Sequence, residues 1–508
     1  MSAVDTEVLI AGAGPTGLVL ALWLVRRGVR VRIVDRLAEP GTTSRALVVH
    51  ARTLEFYRQL GIADRVVASS LRFAAANLWA RGEPVGRIEL GDLGAGLTPF
   101  PYVLIYPQDA HEKMLIDVLR ELGVRVERPC ELLGFEQKAD GGEAILARLR
   151  SADGEESCRA RFLVGCDGAH STVRETIGVR FPGGTYSRLF YVADVAAAGP
   201  VMNDELHVAL DEADFVAVFP LPGDGHARLI GTIRDDAVDG NRRLEWSDVS
   251  ADAIRRMRID VRTVNWFSTY RVHHRVADRF RQGNAFVAGD AAHIHSPVGG
   301  QGMNTGIGDA VNLAWKLAAV ICGTAQPRLL DTYEPERIAF ARRLVETTDR
   351  GFTLVSSDGD LARFIRLDVV PRVLPRLVAL RRVRRFMFRT ISQTAIEYRS
   401  SRLSRGRAGR VEGGDRLPWV AGEDVTRDNY TPLVSLDWQV HVYGTAAQAL
   451  RRACAERGIP LHEFAWTDRA ARAGLARDAV YAIRPDGYVG LADGDASPGR
   501  LAAYLDDR

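Results

Sequence analysis

The chain has 508 residues, which is more than one compact domain usually holds, so we expect two or three domains. Its formal net charge of +3 is close to balanced and gives no reason to expect nucleic acid as a partner. The five cysteines lack metal-ligand or disulfide spacing, and no apolar run is long enough to span a membrane. Since the N-terminus also lacks a signal-peptide layout, we expect a cytoplasmic protein without a metal site.

The first predicted element is a strand–helix–strand unit. A short apolar strand, Glu7 to Ala11, precedes a glycine turn and a helix from about Pro15 to Arg27, and a second strand ends at Asp35. Strands joined in this way by a helix run parallel, so the chain begins with part of a parallel sheet.

The turn of this unit carries the spacing GxGxxG, and we assign it five cofactor-binding residues: Gly12, Gly14, Pro15, Thr16 and Gly17. In order, the three glycines permit the tight turn, the approach of the backbone to a pyrophosphate, and close packing of the helix on the strand. The helix N-terminus supplies unpaired N–H groups to phosphate oxygens. The Asp35 carboxylate is placed to accept the hydroxyls of an adenosine ribose, and Arg36 follows it as a further cofactor-binding candidate. This segment predicts dinucleotide binding without separating FAD from NAD.

Two stretches, residues 71–99 and 179–274, alternate apolar and polar residues between Gly, Pro and Asp turns. Within them, the run from Phe215 to Ile233 is typical of a β-hairpin. We therefore expect a second, mostly antiparallel domain inserted into the first.

A second strand-to-helix junction lies at Cys166–Arg174, where Asp167 and Gly168 end a buried strand. A simple turn with Ser171 as the helix cap is the alternative interpretation. A cap alone does not explain the full spacing DGxxSxxR, so we predict that Asp167, Gly168 and Arg174 belong to the cofactor site.

The third segment begins with Gly289 and Asp290 and continues as a glycine-rich run into a long helix. Asp290 can accept a hydrogen bond from a ribityl hydroxyl. Converging N–H groups at a helix start stabilise the negative charge of a reduced flavin, so this segment indicates flavin; a flexible loop is the alternative. The cofactor-binding residues assigned to the run are Pro297, Gly299, Gly300, Gln301, Gly302, Met303 and Asn304.

The rest of the chain is predicted to be helical to about residue 400 and then to form a small tail domain. The arginine-dense stretch 363–389 indicates an amphipathic helix pair with solvated arginines, or alternatively a surface that attaches to an anionic membrane. Pro371 and Pro375 are expected to break any single long helix there. A polar linker, residues 401–418, precedes a β-α-β-β-α tail with a Pro-Asp-Gly hairpin turn.

In their order and spacing, the three glycine-marked segments resemble those of the FAD-dependent aromatic hydroxylases. That class includes para-hydroxybenzoate hydroxylase, phenol hydroxylase and bacterial aromatic-polyketide hydroxylases, and the resemblance covers nearly the whole chain. It implies that Arg45 is the flavin-proximal arginine, that Gln108 contacts FAD, and that the DG segment serves both FAD and NAD(P)H. Catalytic roles at the flavin are assigned to Arg45, Pro297 and Gly300.

The resemblance also implies an α/β architecture in three parts. We expect a Rossmann-like FAD-binding domain with trailing helices (1–70, 100–178 and 275–400), an inserted, mostly antiparallel β-sheet substrate domain (71–99 and 179–274), and a thioredoxin-like C-terminal domain (410–508). The tail has no CxxC, so we expect it to serve structure or a homodimer rather than redox chemistry.

The implied reaction is hydroxylation of a phenolic substrate, by analogy a polycyclic polyketide. NADPH or NADH reduces FAD, dioxygen adds at flavin carbon 4a, and the hydroperoxide delivers oxygen to the ring. Substrate contacts are expected where the inserted sheet faces the flavin, from Tyr191, His207, Phe219, Pro220 and Arg228. For each of these residues, ordinary packing or a satisfied polar group is the alternative.

Other functions are weighed against hydroxylation. The sequence does not separate it from Baeyer–Villiger-type oxygen insertion or from inactivation of an aromatic antibiotic by the same peroxyflavin. A flavin halogenase would need a WxWxIP segment, which the sequence lacks. A non-catalytic FAD-binding scaffold would be expected to lose its glycine segments, and all three are intact.

Overall fold

The computed structural model describes residues 4–41, 46–137, 144–210, 215–233, 244–296, 298–356, 363–422 and 427–507. Within these ranges the chain forms three large sheets, of eight, eight and six strands, and one three-stranded sheet. None of the helices in the described ranges is long and apolar enough to cross a membrane.

The first sheet contains the amino-terminal strand–helix–strand unit. Thr6–Ala11 lies between Val31–Val34 and Gly154–Gly165, and all three strands are parallel. Val126–Glu127 and Ala285–Val287 extend the sheet in parallel on either side, so the predicted parallel sheet is confirmed. An antiparallel extension and a short edge are formed by Ile145–Ser151, Cys130–Glu136 and Arg281–Gln282. Three long helices share one apolar core with this sheet: Pro15–Arg26, Gln108–Glu121 and Gln301–Ile321.

The second sheet is built from the two alternating stretches. In spatial order its strands are His293–Ile294, Asp260–Val276, Gly183–Ala198, His226–Ile233, Phe215–Pro220, Leu206–Leu210, Ala75–Ala80 and Glu83–Glu89. Neighbouring strands are antiparallel except Leu206–Leu210 with Ala75–Ala80, so the mostly antiparallel sheet and its hairpin are confirmed. The edge strand His293–Ile294 comes from the third glycine-marked segment, which therefore joins the two sheets.

The two faces of the second sheet pack against different elements. The short helix Ala251–Arg256 packs on one face. The other meets the three-stranded sheet, because Phe219 packs in one apolar cluster with Val48 and Ile105. The strands of that small sheet are Val48–Val49, Leu104–Ile105 and Leu71–Arg72. Further short helices are Ala51–Gln59, Ala63–Ala68 and Thr172–Thr176.

The helical region continues beyond Gln301–Ile321 as predicted. It contains Tyr333–Ser356, a π-helical turn at Ile365–Val369, and the helices Val370–Ala379 and Arg381–Ile391. The break between the last two helices lies at Leu380, whose backbone is extended, and not at the prolines. Pro371 lies in the first turn of the helix Val370–Ala379, which directly follows the π-helical turn, and Pro375 lies inside that helix, so neither proline ends it.

The tail forms the six-stranded sheet, in the order Val411–Glu412, Arg405–Ala408, Val489–Asp493, Val480–Ile483, Gln439–Tyr443 and Leu461–Phe464. Its helices are Gln448–Glu456, Asp468–Ala473 and Pro498–Asp506. The predicted linker is corrected, since it supplies the first two strands. The chain folds back between them at Gly409, which has a φ of +62° and where a Cβ would lie 2.5 Å from the Gly474 oxygen. The strand Leu461–Phe464 and the helix Asp468–Ala473 are absent from the predicted tail because so few residues carry no clear periodicity.

Candidate functional site

The first glycine turn has the backbone geometry that its sequence predicts. Gly12 has a φ of +100°, and a Cβ there would collide with the carbonyl oxygen of Cys166. A Cβ at Gly17 would collide with the Gly12 oxygen, so neither position accepts a larger residue. At Gly14, by contrast, no atom lies within 4 Å of the Cβ position, and the helix Pro15–Arg26 begins without a side-chain cap. The first N–H groups of this helix are therefore uncapped and adjoin open space, as a phosphate site requires.

Asp35 closes the turn from the end of the neighbouring strand. Its Oδ2 accepts a hydrogen bond of 2.8 Å from the Ala13 N–H, and its Oδ1 lies 3.1 Å from the Arg128 guanidinium. Arg128 also donates to the Ala13 carbonyl oxygen, whereas Arg36 is exposed. The sequence analysis missed Arg128, although it follows the parallel strand Val126–Glu127, and ligands bind at the carboxyl ends of such strands.

Asp167 lies directly behind the same turn, since a Cβ at Gly12 would come within 2.8 Å of its backbone nitrogen. Its Oδ2 accepts a hydrogen bond of 3.2 Å from the Val173 N–H, and its Oδ1 is buried with no hydrogen-bond partner among the described residues. Burial raises the pKa of this carboxyl above its usual value, against hydrogen bonds from Ser171 and Val173 that lower it. A buried oxygen without a partner is costly, so it marks a position for a ligand's donor group. Gly168 beside it has a φ of +77° and open space at its Cβ position.

Arg174 joins the second and third segments. Its guanidinium donates to the carbonyl oxygens of Ala169 at 2.8 Å and Ala291 at 3.0 Å, and it lies 4.0 Å from the centre of the Phe181 ring. These contacts hold the backbone of the two segments together. A direct contact of Arg174 with NAD(P)H stays a prediction.

Thr16 brings the first and third segments into contact. A Cβ at Gly289 would lie 2.6 Å from the Thr16 Oγ1, and a Cβ at Gly306 would collide with the same atom. Gly289 has a φ of +63°, and Asp290, which follows it, is exposed between the buried Gly289 and Ala291. Residues almost three hundred positions apart in the chain thus meet at one point, as the three-segment prediction requires.

Asp309, which the sequence analysis missed, anchors the third segment from inside. Its Oδ2 accepts the Gly289 N–H at 3.0 Å and lies 2.6 Å from the His293 Nε2, while its Oδ1 accepts the Arg337 Nε–H at 2.6 Å. All three side chains are buried. Burial alone would raise the pKa of the Asp309 carboxyl, but Arg337 and His293 bring it below its ordinary value. The available signal was an acidic residue within the apolar helix Gln301–Ile321.

The long helix Gln301–Ile321 starts from left-handed glycines. Gly299 and Gly300 have φ values of +77° and +62°, and the helix has no side-chain cap. A Cβ at Gly300 would lie 2.7 Å from the Val48 Cβ, so glycine is needed for space as well as for conformation. The first N–H groups of an uncapped helix are suited to a negatively charged group.

The Asn304 side chain holds this helix start in place. Its Nδ2 donates to the carbonyl oxygens of Val48 at 2.8 Å and Gly300 at 2.9 Å, and its Oδ1 accepts the His50 N–H at 2.9 Å and the Thr53 hydroxyl at 2.8 Å. Both donors and both acceptor positions of the amide are therefore used. The side-chain amide therefore has no hydrogen-bonding position left for a cofactor, and a contact of the Asn304 backbone with FAD stays a prediction.

His50 lies under the glycine run and was also missed. Its Nε2 is 2.9 Å from the Gly299 carbonyl oxygen, and its Nδ1 is buried with no partner among the described residues. Burial lowers the pKa of His50 to about 4, so the ring is neutral at neutral pH. The Nε2–H then donates to Gly299, and Nδ1 is a free acceptor.

The two glutamines predicted to bind the cofactor, Gln301 and Gln108, have different hydrogen-bond partners. The buried Gln301 side chain donates to the Ile391 carbonyl oxygen at 3.0 Å and accepts from Gln393 at 2.7 Å. Gln108 opens the helix Gln108–Glu121, and its N–H donates to Ala46.

The remaining members of the predicted cofactor site are placed only in part. Gly302 and Met303 are half-buried in the first turn of the long helix. Arg45 and Pro297 lie outside the described residues, so their predicted roles stay predictions.

The face of the second sheet that meets the small sheet carries three rows of side chains, set by strand register. The first row contains Phe219, Arg228, Asp194 and Trp266. The middle row contains Ala217, Ile230, Val192 and Ser268. The third contains Thr232, Phe190 and Tyr270. The middle row has no aromatic or charged side chain, whereas both rows beside it do contain aromatic side chains; we call this middle strip the sheet trough.

Three predicted substrate contacts lie on the opposite face of this sheet and are corrected. Tyr191 is fully buried there against Phe267, and His207 accepts a hydrogen bond of 3.0 Å from the Trp79 Nε1–H. Pro220 shares that face because side chains alternate along its strand. These residues stabilise the outer packing and do not face the glycine run.

Phe219 and Arg228 do lie beside the sheet trough. Phe219 is half-buried, with its ring centre 6.2 Å from that of Phe73. Arg228 pairs with Asp194 through two hydrogen bonds of 2.6 and 2.7 Å and lies 5.4 Å from the Trp266 ring. Since Asp194 already neutralises Arg228, the guanidinium does not need an ionised substrate group.

The described residues fit a bound FAD. The open space at Gly14, the unpartnered Asp167 oxygen and the uncapped starts of two helices provide room, an acceptor and donors for a phosphate-bearing, electron-accepting cofactor.

Comparisons with known proteins agree with this site. A family described as FAD binding domain matches residues 5–348. The chain is 36% identical to a 6-methylpretetramide 4-monooxygenase of Streptomyces rimosus, over 98% of this chain and 93% of that protein. It is 33% identical to a 12-dehydrotetracycline 5-monooxygenase/anhydrotetracycline 6-monooxygenase of Streptomyces rimosus subsp. rimosus, over 95% and 94% of the two chains. Its fold matches that of an anhydrotetracycline hydroxylase from Streptomyces rimosus with a TM-score of 0.79 and 30% identity, over 98% of both chains.

Fold and site together define an FAD-binding flavoprotein monooxygenase. The chain belongs to the family of FAD-dependent aromatic hydroxylases, as its three glycine-marked segments predict.

Proposed function

We propose that this protein hydroxylates a bulky, polycyclic phenol, with NADPH or NADH and dioxygen as co-substrates. The sheet trough is the observation that carries the substrate class. Its strip of small and aliphatic side chains lies between rows that contain Phe219 and Tyr270, which suits a flat, apolar ring system. Phe219 packs with Val48, whose Cβ adjoins Gly300, so the trough opens on the side of the glycine run.

The names of two relatives support the same substrate class. Relatives named for pretetramide and tetracycline substrates match 95–98% of this chain, so each match includes both the second sheet and the tail.

The chain's own residues bind and orient the reactants. FAD, when bound, supplies the transfer of one oxygen atom from dioxygen to the substrate ring. The helix start at Gly300 stabilises negative charge, and neutral His50 and Asn304 keep the glycine run rigid. In the overall reaction a ring C–H becomes C–OH, the second oxygen atom leaves as water, and NAD(P)H provides two electrons. Arg45 and Pro297 remain proposed flavin contacts.

We also propose the three-domain division given above, with a thioredoxin-like tail at residues 410–508 whose sheet also includes the strand Arg405–Ala408. The connectivity β-α-β-α-β-β-α from Gln439 to Asp506 supports it. So does the pairing of Gln439–Tyr443, which is parallel to Leu461–Phe464 and antiparallel to Val480–Ile483. Arg484 of this tail forms a buried ion pair of 2.9 Å with Glu336, which favours a structural role.

The test is oxidation of NADPH and NADH by the purified, FAD-loaded protein, with tetracyclic phenols and with phenol itself. We expect tetracyclic phenols to accelerate oxidation and to yield a product that gains one oxygen atom from labelled dioxygen and loses one aromatic C–H resonance. Oxidation that yields only hydrogen peroxide with every phenol would contradict the proposal.

Inactivation of an aromatic antibiotic is the second candidate. It is favoured by 31% identity to a rifampicin monooxygenase of Rhodococcus hoagii over 95% of this chain. A product that gains oxygen, keeps every aromatic C–H resonance and has lost antibacterial activity would select this function or a Baeyer–Villiger-type insertion.

A further inference from the structure

The helices Val370–Ala379 and Arg381–Ile391 present a surface that is both apolar and cationic, which we call the basic helical face. Five of the ten exposed large apolar side chains of the described residues lie within residues 364–386. They are Phe364, Val373, Leu377, Leu380 and Phe386, with Phe386 71% exposed. Residues 369–396 contain seven arginines and no aspartate or glutamate. Apolar exposure and positive charge are therefore concentrated on the same short segment.

Three cations of this face have no partner of opposite charge among the described residues, whereas Arg372 pairs with Asp368 at 3.2 Å. None of Arg381, Arg382 and Arg385 forms an ion pair with any described residue, and all three are exposed. With Arg410 and Arg472 of the tail they line a depression of about 600 Å³. Unpaired, clustered arginines repel one another, and an external anion relieves that repulsion.

The inner side of the same helices is fixed to the protein. Val378 and Phe388 are buried, and the Phe388 ring occupies the space that a side chain at Gly94 would need. The helix Val370–Ala379 also packs on the strand Glu83–Glu89. One side of these helices therefore packs on the protein, while the other side forms an outer face that no described element covers.

We propose that the basic helical face binds the surface of an anionic lipid bilayer. A helix with phenylalanine and leucine beside arginine is suited to lie in the headgroup region, with apolar side chains at the acyl boundary and guanidinium groups on lipid phosphates. A second copy of this chain fits less well, since a two-fold interface would place these arginines against the same arginines.

The experiment is sedimentation of the FAD-loaded protein with vesicles of phosphatidylcholine, either alone or with a quarter of phosphatidylglycerol. We expect binding to the anionic vesicles, little binding to the neutral ones, and release at high salt. Reversing Arg381, Arg382 and Arg385 to glutamate should weaken binding on the order of a hundredfold, because each basic residue near the surface contributes. The double variant Leu377→Ser and Phe386→Ser should weaken it as well.

The matched control reverses three exposed arginines of the first sheet and its helix, Arg26, Arg125 and Arg148, to glutamate. Both triple variants change the net charge from +3 to −3, since each replacement of Arg by Glu lowers the net charge by two. We expect the control to bind as the wild type does, and all variants to retain far-UV circular dichroism and NADPH oxidation.

Three results would overturn the proposal. The first is no dependence of wild-type binding on phosphatidylglycerol, or equal loss of binding in the control triple variant. The second is full binding by the Leu377→Ser and Phe386→Ser variant, which would indicate a soluble polyanion or an acidic protein as the partner. The third is a wild-type dimer in light scattering that this double variant dissociates, which would assign the face to a second copy.

Discussion

The replacement Asp309→Asn tests whether the buried carboxylate positions the third glycine-marked segment. Asp309 serves three donors with two oxygens: Gly289 and His293 on one side, and Arg337 on the other. Asparagine offers a single oxygen, so its NH₂ group must face donors on one side. The variant therefore loses the ion pair with Arg337 in either orientation, and it also loses the hydrogen-bond acceptor of either Arg337 or the Gly289 N–H.

The expected loss is large because every partner is buried. Removing one member of a buried ion pair costs about 3–5 kcal/mol of unfolding free energy, since Arg337 keeps only the neutral acceptors Tyr398 and Thr305. Loss of the carboxylate acceptor for the Gly289 N–H costs about 1.5–3 kcal/mol, which corresponds to roughly 10- to 100-fold weaker FAD binding if the turn must be restored on binding.

The assay combines urea unfolding of the apoprotein with titration of FAD by quenching of flavin fluorescence. Glu336→Gln is the matched control, since Glu336 is equally buried and paired with Arg484 and Lys316 but does not contact the third segment. We expect both variants to lose stability and only Asp309→Asn to lose FAD affinity. Equal FAD affinity of Asp309→Asn and wild type would refute the positioning role.

The same variant has a signature in pH. The folded-state pKa of Asp309 is below its ordinary value, although burial alone would raise it, because Arg337 and His293 favour the charged form. Such a group contributes stability above its unfolded pKa, and that contribution is lost as the pH falls through the folded pKa. Acid unfolding of Asp309→Asn should therefore depend less steeply on pH than that of the wild type.

Three further changes test other parts of the site. Burial lowers the pKa of His50 to about 4, so the stability that its neutral ring contributes is fully present above pH ~6.5. About 3 kcal/mol of unfolding free energy is lost as the pH falls towards 4. In the variant His50→Gln, the melting temperature should therefore depend less on pH in this window. Gly300→Ala forces a Cβ against Val48 in a left-handed conformation that costs about 1–2 kcal/mol, and we expect roughly tenfold weaker FAD binding in equilibrium dialysis. Ser268→Phe places a ring over the sheet trough at a half-buried position, so the KM for a tetracyclic phenol should rise at least about tenfold with unchanged FAD content. Thr263→Phe, at an exposed position of the same strand, should leave the KM as it is.

The glycine-marked segments could be predicted because their requirements are local. Gly12 and Gly289 need positive φ and close backbone approach, and both requirements appear directly as glycine at a fixed spacing. The strands that lead into these turns are apolar and short, so their ends could be located as well. Their convergence followed from the rule that parallel strands end at one edge of a sheet.

Which face of the second sheet points towards the flavin site could not be predicted from the sequence, because both faces carry apolar residues. Tyr191 and Phe190 are neighbours, and a shift of one residue decides which of them faces the sheet trough. The roles of Asp309 and Arg128 could not be predicted for a different reason, because their partners lie far away in the chain. Only the folded backbone shows that Arg128 adjoins Ala13.

The short helix Ala51–Gln59 is one connection between the tail and the flavin site, and the long helix Gln301–Ile321 is another, because Trp315 donates to Asp486 at 3.0 Å. His50, whose ring donates to the Gly299 carbonyl oxygen, lies immediately before the helix Ala51–Gln59. The next residue but one, Arg52, donates to the carbonyl oxygen of Asp486 in the tail at 2.7 Å and is buried there. A buried guanidinium keeps its position only if all its acceptors stay in place, so a displaced tail would free the start of this helix and, with it, the support of the glycine run. Removal of the Asp486 contact, by the replacement Arg52→Leu, should therefore weaken FAD binding as well as lower the melting temperature if the tail supports the glycine run.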